Sequence, residues 1–192
     1  SVVAETVQKI LDVTITWKIE AAGKIDADIA VTKDDEFPDL PRFGVRMFLD
    51  KKLSAVRYFG MGPQESYCDK HQAASHGLYR ADVGDLHEDY IRPQENGSHY
   101  DCEYVELNNS RYGIVVSAEN AFSFNASYYT QEELEEKTHN YELTESDSVV
   151  FCVDYALNGI GSNSCGPVVL DQYRFDDVLF RFQFTLIPYV KG

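Results

Sequence analysis

LDVTITWKI (residues 11–19) alternates apolar with polar residues and sets Val13, Ile15, Trp17 and Ile19 on one face. A period of two is the pattern of a half-buried β-strand. Ala-Ala-Gly-Lys at 21–24 turns the chain, with Gly23 free to take a positive φ. IDADIAV (25–31) then alternates again, so the two segments predict a hairpin.

Outward from this pair the same period recurs. RFGVRMFL (42–49) and LSAVRYF (53–59) predict a second hairpin across Asp50-Lys51-Lys52, after a polar loop with Pro38 and Pro41. Strands are also predicted at 112–118, 121–128, 148–157 and 178–187. Between Gly60 and Asn109 the alternation fades, and Gly, Pro, Asp, His and Asn are frequent. Such a long irregular stretch in a compact domain is usually functional or covers another surface. The single helix signal is Thr130-Gln131-Glu132-Glu133, a capping box in which Thr130 caps and Glu133 reaches back. It opens a short helix at 131–137. Many strands with almost no helix define an all-β antiparallel sandwich. No internal repeat, low-complexity segment or linker breaks residues 1–192, so one domain is expected.

Hydrophobic residues make up 44% and charged residues 26%, the balance of a folded globular chain. Thirteen Tyr and eleven Phe against one Trp favour strands and sugar-facing or interface surfaces. A net charge of −15 argues against a nucleic-acid partner, whose phosphates need Lys and Arg, and against an anionic membrane. Neutral ligands such as sugars stay compatible. Cys68, Cys102, Cys152 and Cys165 form no C-x-x-C pair, so free thiols in a reducing cytoplasm are expected and no zinc site. The five histidines fall into no metal-binding spacing; His71 and His76, near Asp69, read as part of a solvated loop.

Two segments stand out chemically. In YFGMGPQESY (58–67), Gly60 and Gly62 end a strand in a tight turn stiffened by Pro63. In RPQENG (92–97), Pro93 favours an extended entry and Asn96-Gly97 is a turn signal. Glu65 and Glu95 are candidates for the carboxylate pair of a glycosidase, which needs an acid and a second carboxylate across the bond. The competing and favoured reading is that each accepts hydrogen bonds from turn amides and braces its loop. GIGSNSCGP (159–167) lacks the Lys-Ser/Thr and helix of a phosphate loop. It reads instead as a flexible polar loop suited to touching a ligand or another domain.

YFGMGPQESYCD (58–69), YIRPQENG (90–97), FSFNASYYTQEELEEKTH (122–139) and GIGSNSCGP (159–167) resemble, in order and spacing, the C-terminal part of bacterial large-type β-galactosidases. That region is the small-chain domain, a supersandwich with a galactose-mutarotase-like fold. The resemblance implies a parent that hydrolyses terminal β-D-galactosides such as lactose with retention, using two glutamates of a (β/α)8 barrel outside this region. It implies no catalytic residue here, no cofactor here, and Mg and Na as possible requirements of the parent. The implied partners are the remaining domains, the barrel above all, the β-galactoside substrate and, in the parent, further copies in a homo-oligomer. In some members a Trp in the loop matching 159–167 walls the sugar pocket; the matching position here is Cys165. That departure puts ring stacking in doubt and leaves Asn163, Ser164 and Cys165 as an active-site lip. The family domain also has more strands than this chain supplies, its first part lying upstream of Ser1. An exposed apolar or unpaired strand edge is therefore expected. Two other readings compete: a stand-alone carbohydrate-binding module, which needs an exposed aromatic platform, and an independent enzyme using Glu65 and Glu95.

Overall fold

The computed structural model describes residues 2–3, 9–160 and 168–192. Among the described residues ten strands, all antiparallel, are present: β1 (Val2–Val3), β2 (Lys9–Ile19), β3 (Ile25–Lys33), β4 (Arg42–Asp50), β5 (Ala55–Gly62), β6 (Ser75–Asp82), β7 (Ser98–Asn108), β8 (Tyr112–Ser127), β9 (Ser148–Leu157) and β10 (Leu179–Val190). The longest path of paired strands runs β1-β2-β3-β10-β8-β7-β5-β6, while β9 pairs with β8 and β4 pairs with β9.

β8 joins the two layers. Its first half, Tyr112–Ala118, pairs with β10, and its second half, Ser123–Ser127, pairs with β9. Every residue from Phe122 to Ser127 is buried, so both faces of this half-strand are covered. β4 and β9 lie across β3 and β10: Phe43 meets Phe180 edge-on at 5.0 Å, and Tyr155 stacks on Phe180 at 4.8 Å. Inward residues such as Ile29, Val31, Phe182 and Phe184 fill the space between. The antiparallel sandwich expected from period-two patterning is the observed fold.

The first hairpin stands as read, with Ile15 opposite Ile29 and Trp17 opposite Ala27. The second does not exist. β4 pairs with β9, and β5 pairs with β6 and β7, so Asp50-Lys51-Lys52 carries the chain from one layer to the other. The segments 112–118 and 121–128 are one strand, β8. The stretch expected to be irregular contains β6 and β7. β6 presents mostly polar residues at a sheet end, and β7 carries a bulge between His99 and Cys102 that breaks its period. Gly60 and Gly62 lie inside β5 rather than in a turn. Added Cβ atoms there would meet Cys102 Sγ at 2.3 Å and Tyr58 Oη at 2.2 Å, so close packing is what asks for glycine. Pro63 follows through a cis peptide bond.

One α-helix, α1 (Gln131–Glu136), is present among the described residues, with three short 3-10 turns. Thr130 Oγ1 accepts from Glu133 N at 3.1 Å, as a capping residue does. The return half of the predicted box is absent: Glu133 Oε1 instead accepts from Thr144 N at 2.8 Å. No helix of the described residues is long and apolar enough to cross a membrane.

The apolar row of β2 is covered at its start and bare at its end. Leu11 is buried, whereas Ile15, Trp17 and Ile19 are 46%, 47% and 71% exposed. β1 pairs with β2 only around Lys9 and Leu11, so Asp12–Ile19 has β3 on one side and no described strand on the other.

Candidate functional site

Glu65 ties the two motif segments together. Its carboxylate is 6% exposed and accepts from Gly97 N at 2.9 Å, Tyr67 Oη at 3.1 Å, Lys70 Nζ and Tyr90 Oη. Burial alone would raise its pKa, but the bonds from Lys70, Tyr90 and Gly97 outweigh burial and hold it below the ordinary value. Next to it, Ser66 N donates to Ser98 O at 2.7 Å, and Ser66 Oγ accepts from Tyr100 N at 2.9 Å. Gly97 has φ +71°, and a Cβ there would meet Leu86 O at 2.4 Å. Glycine is required at this joint on both grounds.

Asn96 and Gly97 do not form a two-residue hairpin turn: type I′ needs positive φ at both residues and type II′ at the first, whereas only the second, Gly97, has it. Asn96 is buried and works as a loop clasp: Oδ1 accepts from Glu88 N at 2.9 Å and Nδ2 donates to Gln94 O at 2.9 Å. Pro93 is buried beside it. Glu95 bonds Arg42, whose guanidinium also grips Asp154 with Nε–Oδ1 at 2.8 Å and Nη2–Oδ2 at 2.6 Å. Asp154 is 1% exposed. Burial pushes its carboxyl up to about 6 against the pull of Arg42. The pair sits where β4 shifts register at Phe43/Gly44, and a Cβ on Gly44 would strike Asp154 Oδ1 at 2.2 Å. Sequence reading missed this pair. The available signal was an aspartate inside the apolar strand SVVFCVDYAL, since a buried charge needs a partner.

The base of the 159–167 loop rests on the same framework. Ile160 N donates to Asp69 Oδ1 at 3.1 Å, Gly159 N to Tyr173 O at 2.9 Å, and Phe175 N to Asn158 Oδ1 at 3.0 Å. Asp69 lies four residues after Glu65, so one segment holds both the 88–97 loop and the near end of the 159–167 loop. Asn163, Ser164 and Cys165 lie outside the described residues.

His71 Nδ1 is 3.0 Å from Tyr67 O, and His76 Nε2 is 3.0 Å from Asp101 O, so the two rings serve different partners. Among the described residues no three His, Cys, Asp or Glu side chains gather as metal ligands. Cys68, Cys102 and Cys152 are free, and burial raises all three thiols, Cys152 to about 11. None has the depressed pKa of a nucleophile.

Glu65→Gln places an amide where four donors converge and leaves Lys70 without its anion. We expect a loss of about 1–3 kcal/mol in urea unfolding. A change below about 0.5 kcal/mol would show that the carboxylate braces nothing.

Fold and site together define a β-sandwich domain whose loops are clasped by buried carboxylates. The family model described as "Beta galactosidase small chain" matches residues 1–186. The β-galactosidase of Actinobacillus pleuropneumoniae is 51% identical over 179 residues, covering 93% of this chain and 17% of that protein. That of Staphylococcus xylosus is 37% identical over 186 residues, 97% of this chain and 19% of the relative. That of Kluyveromyces lactis is 33% identical over 168 residues, 86% of this chain and 16% of the relative. The chain belongs to the β-galactosidase small-chain family. It spans less than a fifth of the length of these relatives.

Proposed function

We propose that residues 1–192 act as one non-catalytic β-sandwich unit of a β-galactosidase, shaping the entrance of its active site and supporting assembly with the other domains. The observation that carries this reading is the commitment of the two candidate acids. Glu65 is enclosed by four donors and Glu95 is held by Arg42. A glycosidase acid needs a free proton and access to the scissile oxygen, and a nucleophile needs an open approach. Glu65 is enclosed, and Glu95, although 37% of its side chain is exposed, is bound to Arg42, so both fix loops.

In this reading the substrate is a terminal β-galactoside, and the parent's own acids, on its barrel, carry out hydrolysis. The 159–167 loop is the chain's contribution to the entrance. Asn163 and Ser164 supply donors and acceptors suited to sugar hydroxyls, and in this reading Cys165 stands where some members of the family carry an aromatic wall. The pinned base, through Asp69 and Tyr173, supports this by fixing where the loop leaves the sandwich.

Cys165→Trp in the intact enzyme tests the lip directly. A gained ring contact is worth about 0.5–1.5 kcal/mol, so KM, glucose inhibition or transglycosylation should change roughly three- to tenfold, with the chemical step little altered. If Cys165→Trp and Cys165→Ala both leave all three unchanged, the loop takes no part in binding.

A further inference from the structure

Asparagine precedes glycine twice in the chain, at Asn96-Gly97 and at Asn158-Gly159. Such a pair is prone to react with itself, because glycine has no Cβ to shield its backbone nitrogen or to restrict its rotation. The glycine nitrogen bonds to the asparagine Cγ, the Cγ–Nδ2 bond breaks, and ammonia leaves with the proton of that nitrogen. Water then opens the five-membered imide at either carbonyl, giving aspartate or isoaspartate. No other reactant is consumed.

The two pairs are held differently. Gly97 N donates to the Glu65 carboxylate at 2.9 Å, whereas Gly159 N donates to a neutral carbonyl, Tyr173 O, also at 2.9 Å. Attack requires the nitrogen to give up its proton. A carboxylate that holds this proton repels the amide anion left behind, and a neutral carbonyl does so far less.

Asn96 is also fixed on its own side. It is 5% exposed, its Oδ1 accepts from Glu88 N and its Nδ2 donates to Gln94 O, both at 2.9 Å. Asn125 Nδ2 donates to Asn96 O, so the peptide group between Asn96 and Gly97 is bonded at both its oxygen and its nitrogen. Asn158 is half-buried, with Oδ1 accepting from Phe175 N at 3.0 Å.

The products do not fit the slot that Asn96 fills. Aspartate has no donor for Gln94 O and puts a carboxylate into a buried position. Isoaspartate lengthens the backbone by one carbon just before Gly97, where even an added Cβ would meet Leu86 O at 2.4 Å.

We propose that Asn96 is a latent deamidation site and that the Glu65 carboxylate is its lock. While the clasp is shut the imide does not close, and each opening of the 88–97 loop exposes Asn96 to a one-way loss of the clasp. The lock belongs to this loop whatever enzyme carries it.

Peptide mass spectrometry of the full chain, incubated in mildly alkaline buffer and sampled over time, reads both asparagines together. In concentrated urea the two should react at comparable rates. In the folded wild type Asn96 should react at least about tenfold more slowly than Asn158. Glu65→Gln keeps the shape and removes the charge; it should speed Asn96 about tenfold and leave Asn158 within about twofold. Tyr90→Phe removes one of the four donors to Glu65 and should speed Asn96 about two- to fivefold, again with Asn158 unchanged. If Glu65→Gln unfolds the chain, both sites accelerate together and Tyr90→Phe decides. Equal rates at the two sites of the folded wild type, or an Asn96 rate raised by neither Tyr90→Phe nor a folded Glu65→Gln, would overturn the proposal.

Discussion

Arg42→Met is expected to destabilise the chain by about 3–5 kcal/mol, the range for removing one partner of a buried ion pair. Asp154, 1% exposed and packed against Gly44, would lose its cation and be left as a buried carboxyl that must hold an unpaired charge or take up a proton. Glu95 would lose the contact that holds the RPQENG segment to β4. Much of the loss comes from stranding Asp154 rather than from the bond itself. The double variant Arg42→Met/Asp154→Leu should therefore recover most of it, because an apolar pair in the same space carries no desolvation penalty. Urea unfolding at neutral pH reads both. A loss below about 1 kcal/mol for the single variant would place the pair among weak surface bridges.

The second large effect lies in pH. His99 is 1% exposed between the rings of Tyr58 and Phe124, with Nδ1 donating to Met61 O at 3.4 Å and Nε2 without a partner. Burial lowers its pKa to about 4, against small opposing effects of Met61 O and Glu65. The unfolded chain binds a proton on this imidazole near pH 6.5, and the folded chain does so only near 4. Stability is therefore complete above the unfolded value and falls as pH drops through this window. Asp154 runs the other way: its raised pKa favours the folded state as pH falls through about 6. The two are separated by comparison with His99→Phe, which keeps the ring slot and Asp154 but removes the titration. Between pH 7 and pH 4 the wild type should lose about 3 kcal/mol more than the variant. Parallel losses in the two proteins would mean that His99 protonates without penalty.

Strands were legible wherever one residue in two faces the core. β3, β4, β5 and β10 follow that alternation; β2 repeats it in sequence although its far end is bare, and β9 is legible instead as an apolar run buried from Val149 to Asp154. β7 was hidden because its bulge buries His99 and Cys102 on an odd-numbered spacing, which no period of two matches. Partner choice was not legible either. Asp50-Lys51-Lys52 looks like a hairpin turn because both flanking strands are amphipathic, and they stay so whether they pair with each other or face across the core. The braces were only half visible. The GPQESY and RPQENG segments announce special backbone by their Gly, Pro and Asn. The Glu65–Gly97 bond joins residues 32 apart, and Arg42–Asp154 joins residues 112 apart, which local patterns do not encode.

Activity of the separated chain, alone and in complementation, tests the central claim most directly. Incubated with a chromogenic β-galactoside, the chain should give no turnover above buffer. Added to a β-galactosidase lacking the matching segment, it should restore hydrolysis, and Glu65→Gln and Glu95→Gln chains should lose restoring power only as far as they lose stability. Turnover by the chain alone, abolished by either substitution while the fold persists, would contradict a non-catalytic role and place the reacting acids within these 192 residues.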